Sequence, residues 1–284
     1  MYQHNLRLPA PEGLAPIDIV VPTHGHLELT MRCINALYLN TSTKFHLIVV
    51  DDSTDLTPRY FKQLQKEHDN ITYIHSKKPY LCGNQLFNIA FKHMKTDYIA
   101  TVMNSITVEP DWEIVALQLM KDNPKVGVIG FKCLFPWGQI ESAGIALVKY
   151  LPVDLGRSLP GHRLSNVYET LAVQWAFALL RKEAVVGVLE EDVFHGFKGW
   201  DDIDNCFVVK KAGWKVMYCG LGVGYHEPRA TRGDNSQEAY LKNKENAEYF
   251  YKRWGLWETY LQAQLDKAKA AGVVPNEAGA VPNE

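Results

Sequence analysis

His46-Leu-Ile-Val-Val-Asp-Asp-Ser-Thr-Asp55 is the stretch that decides the fold. An aliphatic run without alternation that stops at paired acids is the pattern of a strand buried on both faces of a parallel sheet. Upstream, Ile17 to Val21 is a second such run, stopped by Pro22. Between them, Leu29 to Leu39 spaces apolar residues for a helix. Pro58 to His68 does so again behind Thr57, which is expected as its N-cap. Ile71 to Ile74, a helix from about Gln85 to Met94 and a strand from Tyr98 to Met103 continue the alternation. Residues through about 105 therefore predict an α/β protein with a Rossmann-type sheet flanked by helices, whose ligands bind at the carboxyl ends of the strands.

Beyond Pro110 the pattern loosens. A helix is expected around Trp112 to Lys121, strands near Val126 to Phe131 and Ile140 to Val148, and a functional loop from Leu151 to Leu164. Val173 to Leu180 predicts another strand, Asp202 to Ala212 a helix closed by Gly213, and Trp214 to Tyr218 a further strand. Glu238 to Trp254 is charged and amphipathic and predicts an exterior helix. No Ser- or Gly-rich linker divides the chain, so a single domain is expected. Val274-Pro-Asn-Glu277 recurs as Val281-Pro-Asn-Glu284 behind an Ala-rich stretch, which predicts a flexible tail.

Composition narrows the function classes. With 284 residues, 46% hydrophobic and 22% charged, the chain buries a full core. Its net charge of -2 supplies no global field for polyanions, so no general nucleic-acid affinity is expected. The apolar runs are shorter than the roughly 20 residues of a membrane span. Residues 1–16 lack the basic and apolar regions of a secretory leader, which makes a cytoplasmic location the expectation. Cys33, Cys82, Cys133, Cys206 and Cys219 form no C-x-x-C pair and are expected as reduced, mostly packed thiols.

Four polar clusters follow strands: Pro22-Thr23-His24-Gly25, Asp51 to Asp55, Asn104-Ser105, and Trp200-Asp201-Asp202-Ile203-Asp204. The acids of the second either cap a helix or hydrogen-bond a nucleoside, and their place after a buried strand favours the ligand. Three acids at the fourth exceed what the helix dipole needs, and crowding raises a carboxylate towards the range of a general base. His226 follows a further strand. Trp175 and Trp200 offer flat faces to sugar rings, or serve as core aromatics.

Taken in order, these clusters resemble the family 2 glycosyltransferases, inverting enzymes with the GT-A fold, over roughly Ile17 to His226. Ile17-Asp-Ile-Val-Val-Pro-Thr23 and Leu47-Ile-Val-Val-Asp-Asp-Ser-Thr-Asp55 resemble the opening strand and the nucleotide-binding turn. The resemblance implies a nucleotide-sugar donor held by Pro22, Thr23, Asp51, Asp52, Ser53, Asn84, Asn88, Asn104 and Ser105. Ile140-Glu-Ser-Ala-Gly144 and Gln174-Trp175 resemble segments on the acceptor side. Gly199-Trp-Asp-Asp-Ile-Asp204 resembles the acidic acceptor motif, which implies Asp202 as general base beside Asp201, with Trp175, Trp200 and Asp204 towards the acceptor. The acceptor itself, a glycan, lipid, protein or modified base, stays open. On this basis 1–16 is an N-terminal extension, 17–230 the GT-A domain (17–110 for the donor, 111–230 for the acceptor), 231–265 a C-terminal helical segment and 266–284 the tail.

The sequence departs from the family at the D-x-D motif, which holds a divalent ion against the donor diphosphate. Here it reads Asn104-Ser105-Ile106, and magnesium or manganese prefers carboxylate oxygens. Three alternatives follow. Transfer is metal-independent, with Lys77, Lys78, Arg157, Arg229 or Arg232 facing the diphosphate. Or a weakened metal site uses His226, Asn104 and the phosphates. Or the protein binds a nucleotide or glycan without turning it over.

Overall fold

The computed structural model describes residues 13–80, 82–197, 199–227 and 237–270. Strand β1 (Ile17–Thr23), helix α1 (Leu27–Asn40), β2 (Phe45–Asp51), α2 (Thr57–Glu67), β3 (Ile71–His75), α3 (Gly83–Phe91) and β4 (Tyr98–Val102) form the expected alternation. β1 and β2 are buried almost throughout, and β1 pairs in parallel with both β2 and β4 while β2 pairs in parallel with β3. Unbroken aliphatic runs fit such strands because both faces are covered by helices. All three strand ends carrying Thr23, Asp51 and Val102 consequently lie along one edge.

The second half joins the same sheet. It consists of β5 (Ile106–Val108), α4 (Ile114–Asp122), β6 (Val126–Leu134), β7 (Ile140–Ser142), β8 (Ile145–Val148), β9 (Leu151–Asp154), β10 (Val167–Glu169), β11 (Phe177–Arg181), α5 (Lys182–Val185), α6 (Asp201–Lys211) and β12 (Lys215–His226). The strand order is β10-β12-β6-β11-β4-β1-β2-β3, with β5 added on β12 and β7 on β6, and β8 pairs with β9 in a separate hairpin. This is a mixed sheet in one domain. One core cluster (Ile19, Ile34, Phe61, Trp112, Phe177) packs α1, α2 and α4, and the other (Val20, Phe87, Trp175, Cys206, Phe250) packs α3, α6 and helix α7 (Gln237–Arg253). All five cysteines are free and buried.

Several local expectations change. The oxygen at the start of α2 comes from Asp55, whose carboxylate accepts the Thr57 N–H at 2.9 Å, and Leu56 occupies the cap position. The strand expected over Ile140 to Val148 breaks at Gly144, where φ is 102°, and the loop expected from Leu151 supplies β9. The strand expected from Val173 begins at Phe177 because Val173 and Trp175 turn into the core. β12 runs on from Tyr218 to His226 through a register shift between Cys219 and Val223. The short strands β5 and β10 carry too few residues for a periodicity.

Helix α7 (Gln237–Arg253) is amphipathic as expected but not exterior, since it buries Ala239, Asn246, Ala247, Phe250 and Tyr251. Helix α8 (Trp257–Ala270) takes up the first five positions assigned to the tail; 271–284, like 1–12 of the N-terminal extension, lie outside the described residues. No helix among the described residues is long and apolar enough to cross a membrane.

Gly220 of β12 shows how closely the loop before β10 is laid on the sheet. Its N–H donates to Asn166 O at 2.9 Å, and a Cβ at this position would stand 2.0 Å from Leu164 O. Backbone cannot give way as a side-chain tip does. Gly220→Ala is expected to lower stability by about 1–3 kcal/mol or more, read as a fall in the urea midpoint at unchanged slope.

Candidate functional site

A cleft of about 780 Å³ opens at the carboxyl ends of β1, β2 and β4. Pro22, Thr23, His24, Asp52, Tyr80, Asn104 and Ser105 line one side of it, and Glu141, Asp154, Arg157, Gln174, Trp200, Asp201, Asp202 and His226 the other. Nine of the residues expected at the site thus meet in one cavity: Pro22, Thr23, Asp52, Asn104, Ser105, Trp200, Asp201, Asp202 and His226.

On the β2 side Asp52 is fixed in place. Its Oδ1 lies 2.7 Å from His24 Nδ1, and its Oδ2 accepts the Tyr80 N–H at 2.9 Å. Burial, with the Asp52 charge second, pushes the Tyr80 phenol above its ordinary pKa. Asp51 and Ser53 stand behind, outside the cleft lining. Asp51 is wholly buried, accepts the Ser53 hydroxyl and N–H, and takes the Tyr73 hydroxyl at 2.7 Å. Ser53 Oγ in turn accepts the Gly25 N–H at 2.6 Å, which ties the turn after β1 to the turn after β2. The hydrogen bonds of both residues lie within this pair of turns and β3.

At the end of β4 the chain turns through Asn104 and Ser105, both buried, with Ile106 N–H donating to Met103 O at 2.9 Å. The Asn104 amide is directed at its own scaffold: it donates to Thr30 Oγ1 at 3.0 Å and to Gly25 O at 3.3 Å. Ile106 is 0% exposed and packs in the core, its backbone paired with His226 across β5 and β12. His226 Nδ1 meets Glu141 Oε2 at 2.6 Å. No cluster of three or more His, Cys, Asp or Glu side chains suited to an ion occurs among the described residues. An aliphatic core residue, an amide turned to its own scaffold and a histidine tied to Glu141 do not fit a carboxylate-held divalent ion.

The acids of the fourth cluster start α6. Asp201, Asp202 and Asp204 occupy its first turn, where the macrodipole favours negative charge. Asp201 lies so close to α3 that a Cβ on Gly83 would stand 2.7 Å from Asp201 Oδ2, and a larger residue there would displace that carboxylate. Trp200, just before the helix, has φ 77°, a left-handed conformation unfavourable for a bulky residue. Helix α7 holds it. Trp200 packs on Phe250 and Tyr251, and Asn246 Nδ2 donates to His195 O and Gly199 O, each at 3.3 Å.

Besides Asp51 and Ser53, four expected residues stand outside the cleft lining. Trp175 is 0% exposed, packs on Phe87 and donates its indole N–H to Cys206 Sγ at 3.4 Å, so it offers no face to an acceptor. Asp204 turns away from the cleft to Arg253 Nη1 at 3.1 Å and to the Trp254 indole N–H at 2.7 Å. Asn84 donates to Glu190 O at 2.9 Å and Asn88 to Leu189 O at 2.9 Å, so both anchor the loop before α6. Among the cations considered for a diphosphate, Arg157 lines the cleft, 3.4 Å from Asp154, whereas Lys77 and Lys78 are exposed outside it. Arg229 and Arg232 lie outside the described residues.

Sequence reasoning did not assign Glu141, Tyr80, His24 or the Asp154–Gln174 contact at 2.9 Å. Glu141 sits within a stretch that was singled out, and only its distance from His226 reveals its role as partner. Burial raises the Asp154 carboxyl, against the lowering effect of Arg157 and Gln174.

Residues 18–141 match the family described as Glycosyl transferase family 2. Among curated relatives, the uncharacterized protein y4gI of Sinorhizobium fredii (strain NBRC 101917 / NGR234) is 28% identical over 260 residues, covering 86% of this chain and 28% of the relative. The O-antigen biosynthesis protein RfbC of Myxococcus xanthus is 23% identical over 253 residues, covering 84% of this chain and 19% of the relative. The chain thus spans less than a third of either relative's length. Among solved structures, GalNAc-T7 with UDP, GalNAc and Mn2+ superposes with a TM-score of 0.67 at 13% identity, over 89% of this chain and 55% of that one. The mannosyltransferase PcManGT from Pyrobaculum calidifontis with GDP-Man and Mn2+ gives 0.56 at 18% identity, over 94% and 79%. The shared fold is GT-A.

The Asp204 contact has a pH signature. Burial raises its carboxyl from the ordinary 3.8 to about 6, outweighing the Trp254 hydrogen bond and Arg253, which favour the ionised form. The folded state therefore holds this proton more tightly than the unfolded chain, and stability falls as pH rises between the two values. Wild type measured against Asp204→Asn is expected to lose relative stability from about pH 4 to about pH 6, read by denaturant titration; a flat difference would contradict it.

Proposed function

From a chain carrying a family 2 glycosyltransferase domain on a GT-A fold, we propose an inverting sugar transfer from a nucleotide-sugar donor to an acceptor hydroxyl, with Asp202 as general base. The observation that supports it is a single cleft with Asp52 at the β2 end and Asp201 and Asp202 at the start of α6. Residues 17–110 supply the donor wall and 111–230 the acceptor wall, and the surroundings are taken as cytoplasmic.

Asp52, oriented by His24 and the Tyr80 N–H, accepts a hydrogen bond from the nucleoside, with Pro22 and Thr23 beside it. The diphosphate runs along Asn104 and Ser105 towards the α6 side. Asp202 takes the proton of the acceptor hydroxyl as that oxygen attacks the anomeric carbon. The new C–O bond forms on the face opposite the one that breaks, and the nucleoside diphosphate departs with the bonding electrons. Trp200 flanks the acceptor, and Asp201, set against Gly83, keeps the start of α6 in register. No step passes through a divalent ion, because the donor set does not fit one; Arg157 is the described cation facing this space.

Ile106 in the core favours a second reading, a nucleotide- or glycan-binding protein without turnover. Release of nucleoside diphosphate from a panel of nucleotide sugars, with chelator and with manganese, separates the two. Turnover that persists in chelator is the expected result. Tight nucleotide binding with no release from any donor, supplied with a glycan panel as acceptors, would favour the silent binder.

Asp202→Asn keeps the size of the side chain and removes the base. It is expected to lower turnover by about 10²–10⁴-fold with nucleotide affinity unchanged, measured by product release and by calorimetry. Full activity in this variant would remove Asp202 from the role.

A further inference from the structure

A second depression, of about 720 Å³, lies outside the cleft and has Trp137, Gln139, His162, Glu109 and Tyr225 on its rim. Trp137 is 64% exposed, unusual for the largest side chain, yet it is held firmly. Its ring stacks on Phe135 at 4.6 Å and 11°, and its indole N–H donates to Gln139 Oε1 at 3.1 Å. The turn beneath it is closed by Gly138 N–H to Phe135 O at 2.8 Å, with Gly138 at φ 85°.

The opposite wall is built with equal care. Gly161 donates its N–H to Gly138 O at 3.0 Å, and a Cβ there would stand 2.6 Å from that oxygen, so the two loops touch backbone to backbone. Lys132 lies under this wall, 1% exposed, and donates to Gly161 O at 3.1 Å, Arg163 O at 2.8 Å and Ser165 Oγ at 2.7 Å. A buried ammonium given over to loop carbonyls fixes the shape of the depression before any ligand arrives.

We propose that this depression is a carbohydrate subsite in which one sugar ring of the acceptor chain stacks on Trp137. The inference rests on the transfer reading above and names its acceptor class as a glycan. A pyranose presents an apolar C–H face and a rim of hydroxyls. Here a rigid aromatic plane stands among an amide, an imidazole, a phenol and a carboxylate, the few placed polar groups that orient a ligand. A single indole face is too small for a protein interface, which buries about 800 Å² per partner. The place also fits: the Arg157 guanidinium, which lines the cleft, lies 5.0 Å from the centre of the Phe135 ring on which Trp137 stacks. The subsite therefore adjoins Arg157 on the acceptor side of the cleft.

The test is binding of the wild type, Trp137→Phe and Trp137→Ala to a printed array of bacterial polysaccharides and oligosaccharides, with UDP and GDP affinity measured on the same samples. The wild type is expected to bind a subset of glycans, Trp137→Ala to lose at least about tenfold in affinity, a step of about 1.4 kcal/mol, and Trp137→Phe to keep most of it. Nucleotide affinity is expected to be equal in all three, which also shows that the variants fold. No glycan bound by wild type, or equal binding by Trp137→Ala, overturns the subsite. Donor turnover without glycan binding would do so while sparing the transfer reading, and glycan binding without turnover the reverse.

Discussion

Strand β11 runs antiparallel to β4 on one side and to β6 on the other, and everything at the cleft depends on that double pairing. Its neighbours on one flank, β4, β1, β2 and β3, are parallel, and β4, β1 and β2 end together at Val102, Thr23 and Asp51. On the other flank β6 and β12 carry Glu141 by way of β7, and His226. Without β11 these would be two sheets with two edges. With it, a carboxylate at the end of β2 and the acids at the start of α6 face one cavity.

The acids in that cavity are set by their neighbours. Asp52 has His24, Glu141 has His226 and Asp154 has Arg157, each pair in contact at 2.7, 2.6 and 3.4 Å. Asp202 lies in the first turn of α6, where the helix dipole favours negative charge. Helix α7 then sets the height of that end: Asn246 on the loop carbonyls, the aromatic pair on Trp200, and Arg253 with Trp254 on Asp204. A charged helix read from sequence as exterior is thus part of the frame that holds the start of α6 at the cleft.

What was legible in the sequence follows from what is local. The runs at Ile17 and Leu47 declare buried parallel strands because nothing but burial on both faces explains unbroken aliphatic residues followed by acids. The clusters behind them fall together for the same reason, since strand ends converge, and nine of the expected residues line one cleft. Individual roles were not legible. Asp51 and Asp52 are adjacent, but a strand sends neighbours to opposite faces, so one lies in the core and one in the cleft. Asn84 and Asn88 lie on helix α3 and are taken by carbonyls more than 100 residues away in sequence. Trp175 lost its expected role to packing, whereas Trp137, on an unremarked turn, has its ring in solvent. Ile106 was the informative exception: its departure from the expected carboxylate could be seen from sequence alone, and the core accounts for an aliphatic side chain there.

The central claim is that the donor lies between Asp52 and Asp202 along Asn104 and Ser105. A crystal structure with UDP or GDP bound tests it most directly. The account predicts the base ring against Asp52 and Tyr80, with the diphosphate passing Asn104 and Ser105 and ending on the side of Asp202. A nucleotide seated elsewhere, or one whose phosphates point away from the start of α6, would contradict it.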